Sequence, residues 1–245
     1  MMPHLVILQS VNMTTASMNR QYCCVLFDLD GTIADHFVAI HKSCAHAMRA
    51  MGVPPADYET VRRTVGGGIT TTMGRLVGQD RVDEALRHYH PFFAEHWREG
   101  LQALPGALWI LRALRDQGMR TAVLTNKEGE NARAVCDWLG FTPFLDGVFG
   151  GGDCPWHKPD PRFVTWALGE LDAERSATCL VGDSPWDIET ARGAQIPVHV
   201  VPTGTHSLEK LREENPTSVH ADLNALGVEV FGLTPPSATP SPAAQ

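Results

Sequence analysis

The sequence predicts an α/β protein: a Rossmann-like parallel sheet core with an inserted helical cap domain. Three observations point there. Short runs rich in Val, Leu, Ile and Cys alternate with helical patterns, as in a parallel sheet covered by helices. Most of those runs end at acidic or hydroxyl-bearing residues, where open sheets of this kind bind their ligands. One connection, between Asp35 and Leu104, is far longer than a strand-to-helix unit requires and is filled with helical stretches.

Residues 1–21 hold a short apolar patch without a basic leader or a small-residue cleavage site, so they read as a flexible N-terminal extension rather than a secretory signal. Met13 and Met18 are alternative starts. The core occupies residues 22–34 and 105–233, with strands expected at Cys23–Asp28, Arg120–Thr125, Phe144–Phe149, Thr178–Asp183 and Val198–Pro202. The cap, residues 35–104, shows helical stretches at Phe37–Met51, Asp57–Thr64, Thr70–Val77 and Arg81–Trp97 and no good strand. Pro105-Gly106 marks the return to the sheet. Residues 234–245 have four prolines and no charged, aromatic or large aliphatic side chain, the composition of a disordered Pro/Ala/Ser tail.

Composition narrows the function. With 245 residues, 43% hydrophobic and 20% charged, the chain can bury a sizeable core and is neither disordered nor a coiled coil. The net charge of -8, with no local basic cluster, repels a polyanion, so nucleic acid is not an expected partner. No apolar run approaches the ~20 residues that span a bilayer, so no membrane partner is expected either. Six cysteines without a CxxC pair fit a reducing cytoplasm. His36, His41 and His46 recur every five residues, about 140° apart on a helix, and so form no shared metal-binding face. Gly150-Gly151-Gly152 lacks the dinucleotide-binding pattern.

The chemistry-bearing residues lie at strand ends. Asp28-Leu29-Asp30-Gly31-Thr32 carries two carboxylates two residues apart, and Gly182-Asp183-Ser184-Pro185-Trp186-Asp187 adds two more at a strand-to-helix junction. Each alone also reads as an ordinary turn, and Ser184-x-x-Asp187 is a helix-capping signature as well. Together, Asp28, Asp30 and Asp183 would repel one another unless some bound protons or a hard divalent cation sat between them. All-oxygen ligation with few carboxylates suits Mg²⁺. Thr125-Asn126 offers a hydroxyl and a backbone N–H for phosphoryl oxygens, and Lys158, just before an apparent helix start, offers a charge to neutralise an aspartate or a phosphate.

In this order, Asp28-Leu29-Asp30-Gly31-Thr32, Leu124-Thr125-Asn126, Lys158-Pro159 and Gly182-Asp183-Ser184-Pro185-Trp186-Asp187 resemble all four motifs of the haloacid dehalogenase superfamily of phosphohydrolases. The helical insert and the stretch from Asn126-Lys127 to Lys158-Pro159 resemble its phosphoglycolate phosphatase branch. The resemblance implies that Asp28 is the nucleophile and Asp30 the general acid and base. It further implies that Asp28, the Asp30 carbonyl and Asp183 ligate Mg²⁺ with Asp187 behind them, that Thr125 and Asn126 bind phosphate, and that Lys158 orients Asp28. Asp30, absent from true dehalogenases of the superfamily, disfavours dehalogenation. Two departures stand out: His36 follows Asp35 where many relatives have serine, and Cys154-Pro155-Trp156-His157 is bulky before the lysine.

The expected activity is therefore Mg²⁺-dependent hydrolysis of a small phosphorylated metabolite through an aspartyl-phosphate, with 2-phosphoglycolate the leading substrate. A sugar-phosphate mutase, a pyrophosphatase or a non-catalytic metabolite-binding module are the alternatives; Gly182, where the mutase branch often has an acidic residue, favours hydrolysis. Specificity is expected in the cap, with Arg62, Arg63, Gly67 and Arg75 as candidates. Monomer and homodimer both remain open.

Overall fold

The computed structural model describes residues 21–235. The N-terminal extension and the Pro/Ala/Ser tail therefore lie almost wholly outside the described residues. The first strand, β1 (Cys24–Phe27), is buried at every position, as in a strand sandwiched between two helical layers. It is followed by β2 (Ala34–Asp35), the helices α1 (Phe37–Ala50), α2 (Tyr58–Thr64), α3 (Gly68–Val77) and α4 (Val82–His96), and β3 (Gln102–Ala103). Strand and helix then alternate: α5 (Ala107–Asp116), β4 (Arg120–Glu128), α6 (Gly129–Trp138), β5 (Gly147–Gly151), α7 (Pro161–Glu170), β6 (Thr178–Gly182), α8 (Pro185–Ala194), β7 (Val198–Val200), α9 (Leu208–Glu213), β8 (Ser218–Val219) and α10 (Leu223–Phe231).

Six strands form one parallel sheet in the order β5-β4-β1-β6-β7-β8. Cys24–Phe27 pair with Arg120–Val123 on one side and Thr178–Val181 on the other, so β1 is central. Successive side chains leave opposite faces of the pleat. Val25, Phe27, Val123 and Val181 pack with Ile110, Leu111, Val135 and Leu226 on one face. Leu26, Leu124, Leu180 and Val200 pack with Phe163, Ala167 and Ile188 on the other. Truncating a fully buried core phenylalanine such as Phe27 costs about 3–5 kcal/mol, so the register that places these strands is strongly enforced. Its consequence for function is that β1, β4 and β6 end side by side at one edge of the sheet.

The helices α1 to α4 enclose a core of their own, built from Phe37, Ile40, Cys44, Val61, Met73, Val82, Tyr89 and Phe93. Contrary to the strandless insert expected, Ala34–Asp35 and Gln102–Ala103 pair antiparallel and stitch together the chain leaving and rejoining the sheet. Two-residue ladders carry no alternation to read, and the same holds for β8. The third core strand starts at Gly147 rather than Phe144, because Thr142–Phe144 forms a 3-10 turn around Pro143. Helix α3 begins at Gly68, two residues before the expected Thr70. Among the described residues no helix is long and apolar enough to cross a membrane.

Candidate active site

Asp28 prolongs the β1 ladder by one bond, its N–H donating to the Val181 carbonyl at 2.9 Å. The chain then curls: the N–H groups of Thr32, Ile33 and Ala34 all point to the Leu29 carbonyl, at 3.2, 3.1 and 3.0 Å. Leu29 is thereby buried in the core while Asp28 and Asp30 face a cavity. The curl needs Gly31, whose φ is +95° and where a Cβ would lie 2.8 Å from Asp183 Oδ2 and from Gly204 Cα.

Lys158 ties the site together. Its Nζ donates to Asp28 Oδ1 at 2.6 Å and to Asp187 Oδ1 at 2.7 Å, with all three residues buried. Asp187 is held from the other side by Ser184, whose hydroxyl and N–H donate to Oδ2 at 2.6 and 3.1 Å in a capping box that starts α8. The capping and the site readings of Asp187 are thus one arrangement. Asp183 is equally fixed, accepting from the Thr32 hydroxyl at 3.1 Å and the Thr205 N–H at 2.9 Å.

Carboxylate oxygens of Asp28, Asp183 and Asp187 lie within 4.8 Å of one another. Three carboxylates against one ammonium leave two negative charges in a buried space, which matches a divalent cation. The protonation preferences agree. Burial pushes Asp28 up to about 6 despite Lys158, and burial with the charges of Asp28 and Asp187 pushes Asp183 well above the usual carboxylate range. The single charge of Lys158 does not offset the burial and mutual repulsion of these carboxylates. Asp187 accepts from the Lys158 ammonium as well as from Ser184, whereas Asp183 accepts only from the neutral groups of Thr32 and Thr205 and Asp28 bonds Lys158 through Oδ1, so the better placed ligands are Asp28 and Asp183.

The Asp30 side chain does not join that cluster. Lys127 Nζ donates to it at 3.0 Å, and His36 Nδ1 stands 3.6 Å away. Burial favours its neutral form, but Lys127 and His36 together outweigh burial and hold its carboxyl below the usual carboxylate range. Sequence reasoning gave neither Lys127 nor His36 a role. Lys127 had a signal, its place directly after Thr125-Asn126; His36 had only its departure from serine.

Thr125 and Asn126 follow Leu124 in β4. The Asn126 amide is fully engaged: Oδ1 accepts from the Lys158 N–H at 2.7 Å, and Nδ2 donates to the carbonyls of Gly66 and Lys158 at 2.9 and 3.0 Å. It therefore bridges the insert to the lysine loop, leaving its backbone N–H and the Thr125 hydroxyl as the donors for a ligand. A cavity of ≈ 50 Å³ lies between sheet and insert. Asp28, Asp30, Thr125, Asn126, Lys127 and Glu128 line it from the sheet side, and Ile40, Val65, Ile69, Thr72, Tyr89 and Phe93 from the insert. The expected specificity residues are elsewhere. Arg62 stacks on Phe37, Arg63 is exposed, Arg75 lies over Trp186, and a Cβ on Gly67 would meet Trp186 at 2.8 Å; none lines the cavity, whereas the neighbouring Gly66 and Gly68 do. The glycine turn serves to pack the insert on Trp186.

A family model described as haloacid dehalogenase-like hydrolase matches residues 25–201. The chain belongs to this family. The phosphoglycolate phosphatase of Rhodospirillum rubrum is 32% identical over 214 residues, covering 83% of this chain and 88% of that protein. That of Mesorhizobium japonicum is 30% identical, covering 84% and 93%. Among solved structures, CbbY of Rhodobacter sphaeroides in complex with phosphate superposes with a TM-score of 0.71 at 23% identity, over 84% of this chain and 96% of that one. A haloacid dehalogenase-like hydrolase of Streptococcus pneumoniae gives 0.77 at 22%, over 87% and 99%. This haloacid dehalogenase-like hydrolase admits no side chain at Gly182, where a Cβ would fall 2.3 Å from Asp187 Cγ.

Proposed function

We propose that the protein is a Mg²⁺-dependent phosphatase of small phosphomonoesters that works through an aspartyl-phosphate on Asp28, with 2-phosphoglycolate as its substrate. The phosphatase class rests on the family and on relatives of that activity along most of the chain. The observation that carries the chemistry is the Lys158 ammonium between Asp28 and Asp187, with Asp28 facing a cavity of small volume.

Mg²⁺ held by Asp28, Asp183 and the Asp30 carbonyl would neutralise charge on the phosphoryl oxygens as a carboxylate approaches them. The chain's own groups do the rest. Lys158 fixes Asp28 Oδ1, leaving the other oxygen to attack phosphorus. The Thr125 hydroxyl and the Asn126 N–H donate to the phosphoryl group as its charge shifts. Asp30 gives a proton to the departing alkoxide and takes one from the water that cleaves the intermediate. Its low proton affinity in the free protein suits the base; an incoming phosphate dianion beside it raises that affinity towards the acid. Lys127, the one cationic side chain lining the cavity among the described residues, suits a substrate whose leaving group carries a carboxylate. Gly182, with no space for the acidic residue of the mutase branch, favours hydrolysis over transfer. Free thiols at all six cysteines accord with a cytoplasmic setting.

The test is phosphate release, with Mg²⁺, from 2-phosphoglycolate, glucose 1-phosphate, pyrophosphate and p-nitrophenyl phosphate. The reading expects kcat/KM highest for 2-phosphoglycolate and no conversion of glucose 1-phosphate to its 6-phosphate isomer. Mutase product, or no release from any monoester, overturns it.

A further inference from the structure

His36 is the first residue after β2 and the N-cap of α1, and it is completely buried. Its Nε2 lies 2.5 Å from the carbonyl of Trp97, just beyond α4. A carbonyl only accepts, so Nε2 carries the proton and donates. That fixes the ring and turns Nδ1 towards Asp30 Oδ1, 3.6 Å away. Nδ1 is the one buried side-chain nitrogen or oxygen among the described residues without a hydrogen-bond partner. A buried polar atom left unpaired is costly, and the group within reach of this one is the carboxyl that handles the proton. The ring sits among Phe93 and Trp97, at centroid distances of 5.5 and 6.4 Å, so it moves with the end of α4.

We propose that His36 is a positioning residue for Asp30, which links the seating of the helical insert to the aim of the Asp30 carboxyl. Two groups flank that carboxyl: Lys127 bonds it from the sheet, and His36 Nδ1 faces it at 3.6 Å from the insert. Of the two, only His36 hydrogen-bonds the chain where the insert ends, while Lys127 touches the insert through the Phe93 ring, whose centroid is 5.3 Å from its Nζ. With its proton on Nε2, Nδ1 can only accept, so a shift of a few tenths of an ångström lets it take a hydrogen bond from the O–H of Asp30 in its acid form, and seating the insert on a substrate completes that contact. The inference rests on Asp30 acting as the proton donor.

The test separates the two ring nitrogens. His36→Asn keeps a polar atom near the place of Nδ1, His36→Gln keeps one near Nε2, and His36→Ser, an N-cap residue of ordinary preference, secures the start of α1 while removing both. Each is assayed with 2-phosphoglycolate, whose alkoxide needs a proton, and with p-nitrophenyl phosphate, whose phenolate does not, alongside Tm. His36→Gln and His36→Ser should lower kcat for the alkyl ester by about 10-fold or more and for the aryl ester by no more than about 3-fold, at unchanged KM. His36→Asn should keep alkyl turnover within about 3-fold of the parent. An alkyl-to-aryl ratio in His36→Ser equal to the parent's, or equal losses for both esters that follow Tm in all three variants, overturns the proposal. Failure of the parent protein to hydrolyse either ester would instead overturn the phosphatase reading.

Discussion

Lys158 Nζ lies 2.6 Å from Asp28 Oδ1, joining residues 130 positions apart in a site where the lysine is 1% and the aspartate 6% exposed. This contact exists because the chain after β5 returns across the strand ends before starting α7, and it places one ammonium against three carboxylates.

Removing that ammonium should be costly. In Lys158→Met the carboxylates of Asp28 and Asp187 stay buried without their partner, a loss of about 3–5 kcal/mol. Urea denaturation should report a fall of that size and phosphate release should drop at least about 100-fold. Near-parental values in both would show that the ammonium is dispensable.

Metal removal should abolish turnover and lower stability together. At about 100 times its Kd, Mg²⁺ should add about 2.7 kcal/mol to the stability of the metal-free protein. Asp183→Asn should lose most of that gain. Because Asp28 titrates at about 6 when metal-free, the affinity should weaken as pH falls below that value. Full activity after exhaustive chelation, or a thermal shift with Mg²⁺ that Asp183→Asn retains, would count against these ligands.

A separate pH effect belongs to the far side of the sheet. His199 is 4% exposed, paired with Ser218 and Tyr22, and burial, followed by the nearby His220, lowers it to about 4. Its folded value lies below its unfolded one, so between about 6.5 and 4 the unfolded chain binds more protons and stability falls with acid. The loss should reach up to about 3 kcal/mol across that window. Urea midpoints at pH 7 and 4.5 measure it, and His199→Asn should flatten the slope; an unchanged slope in that variant would assign it to other groups.

Much of this was legible in the sequence, for identifiable reasons. Strands such as Cys24–Phe27 are buried on both faces and read as continuous apolar runs, and the residues ending them sit where a parallel sheet must gather them. Asp28 and Asp183 are legible for that reason, Lys158 by its place just before α7 and Asp187 by the capping pattern that starts α8. What escaped depends on side chains that reach across the cavity. Lys127 alters the protonation of Asp30 from 97 positions away, and the Asn126 amide bonds the carbonyl of Gly66 in the insert; no local pattern encodes either contact. The arginines of α2 and α3 do not line the cavity, because charge on an amphipathic helix marks a face, not its orientation towards a neighbour.

The central claim is that Asp28 takes the phosphoryl group while Asp30 handles the proton. Rapid quench with radiolabelled p-nitrophenyl phosphate, which needs little help to leave, tests it directly. Asp30→Asn should give a burst of nitrophenol and a trapped phosphoenzyme that releases phosphate slowly, and Asp28→Asn should trap none. Label accumulating on the Asp28→Asn protein, with none on Asp30→Asn, would contradict the account and exchange the two roles.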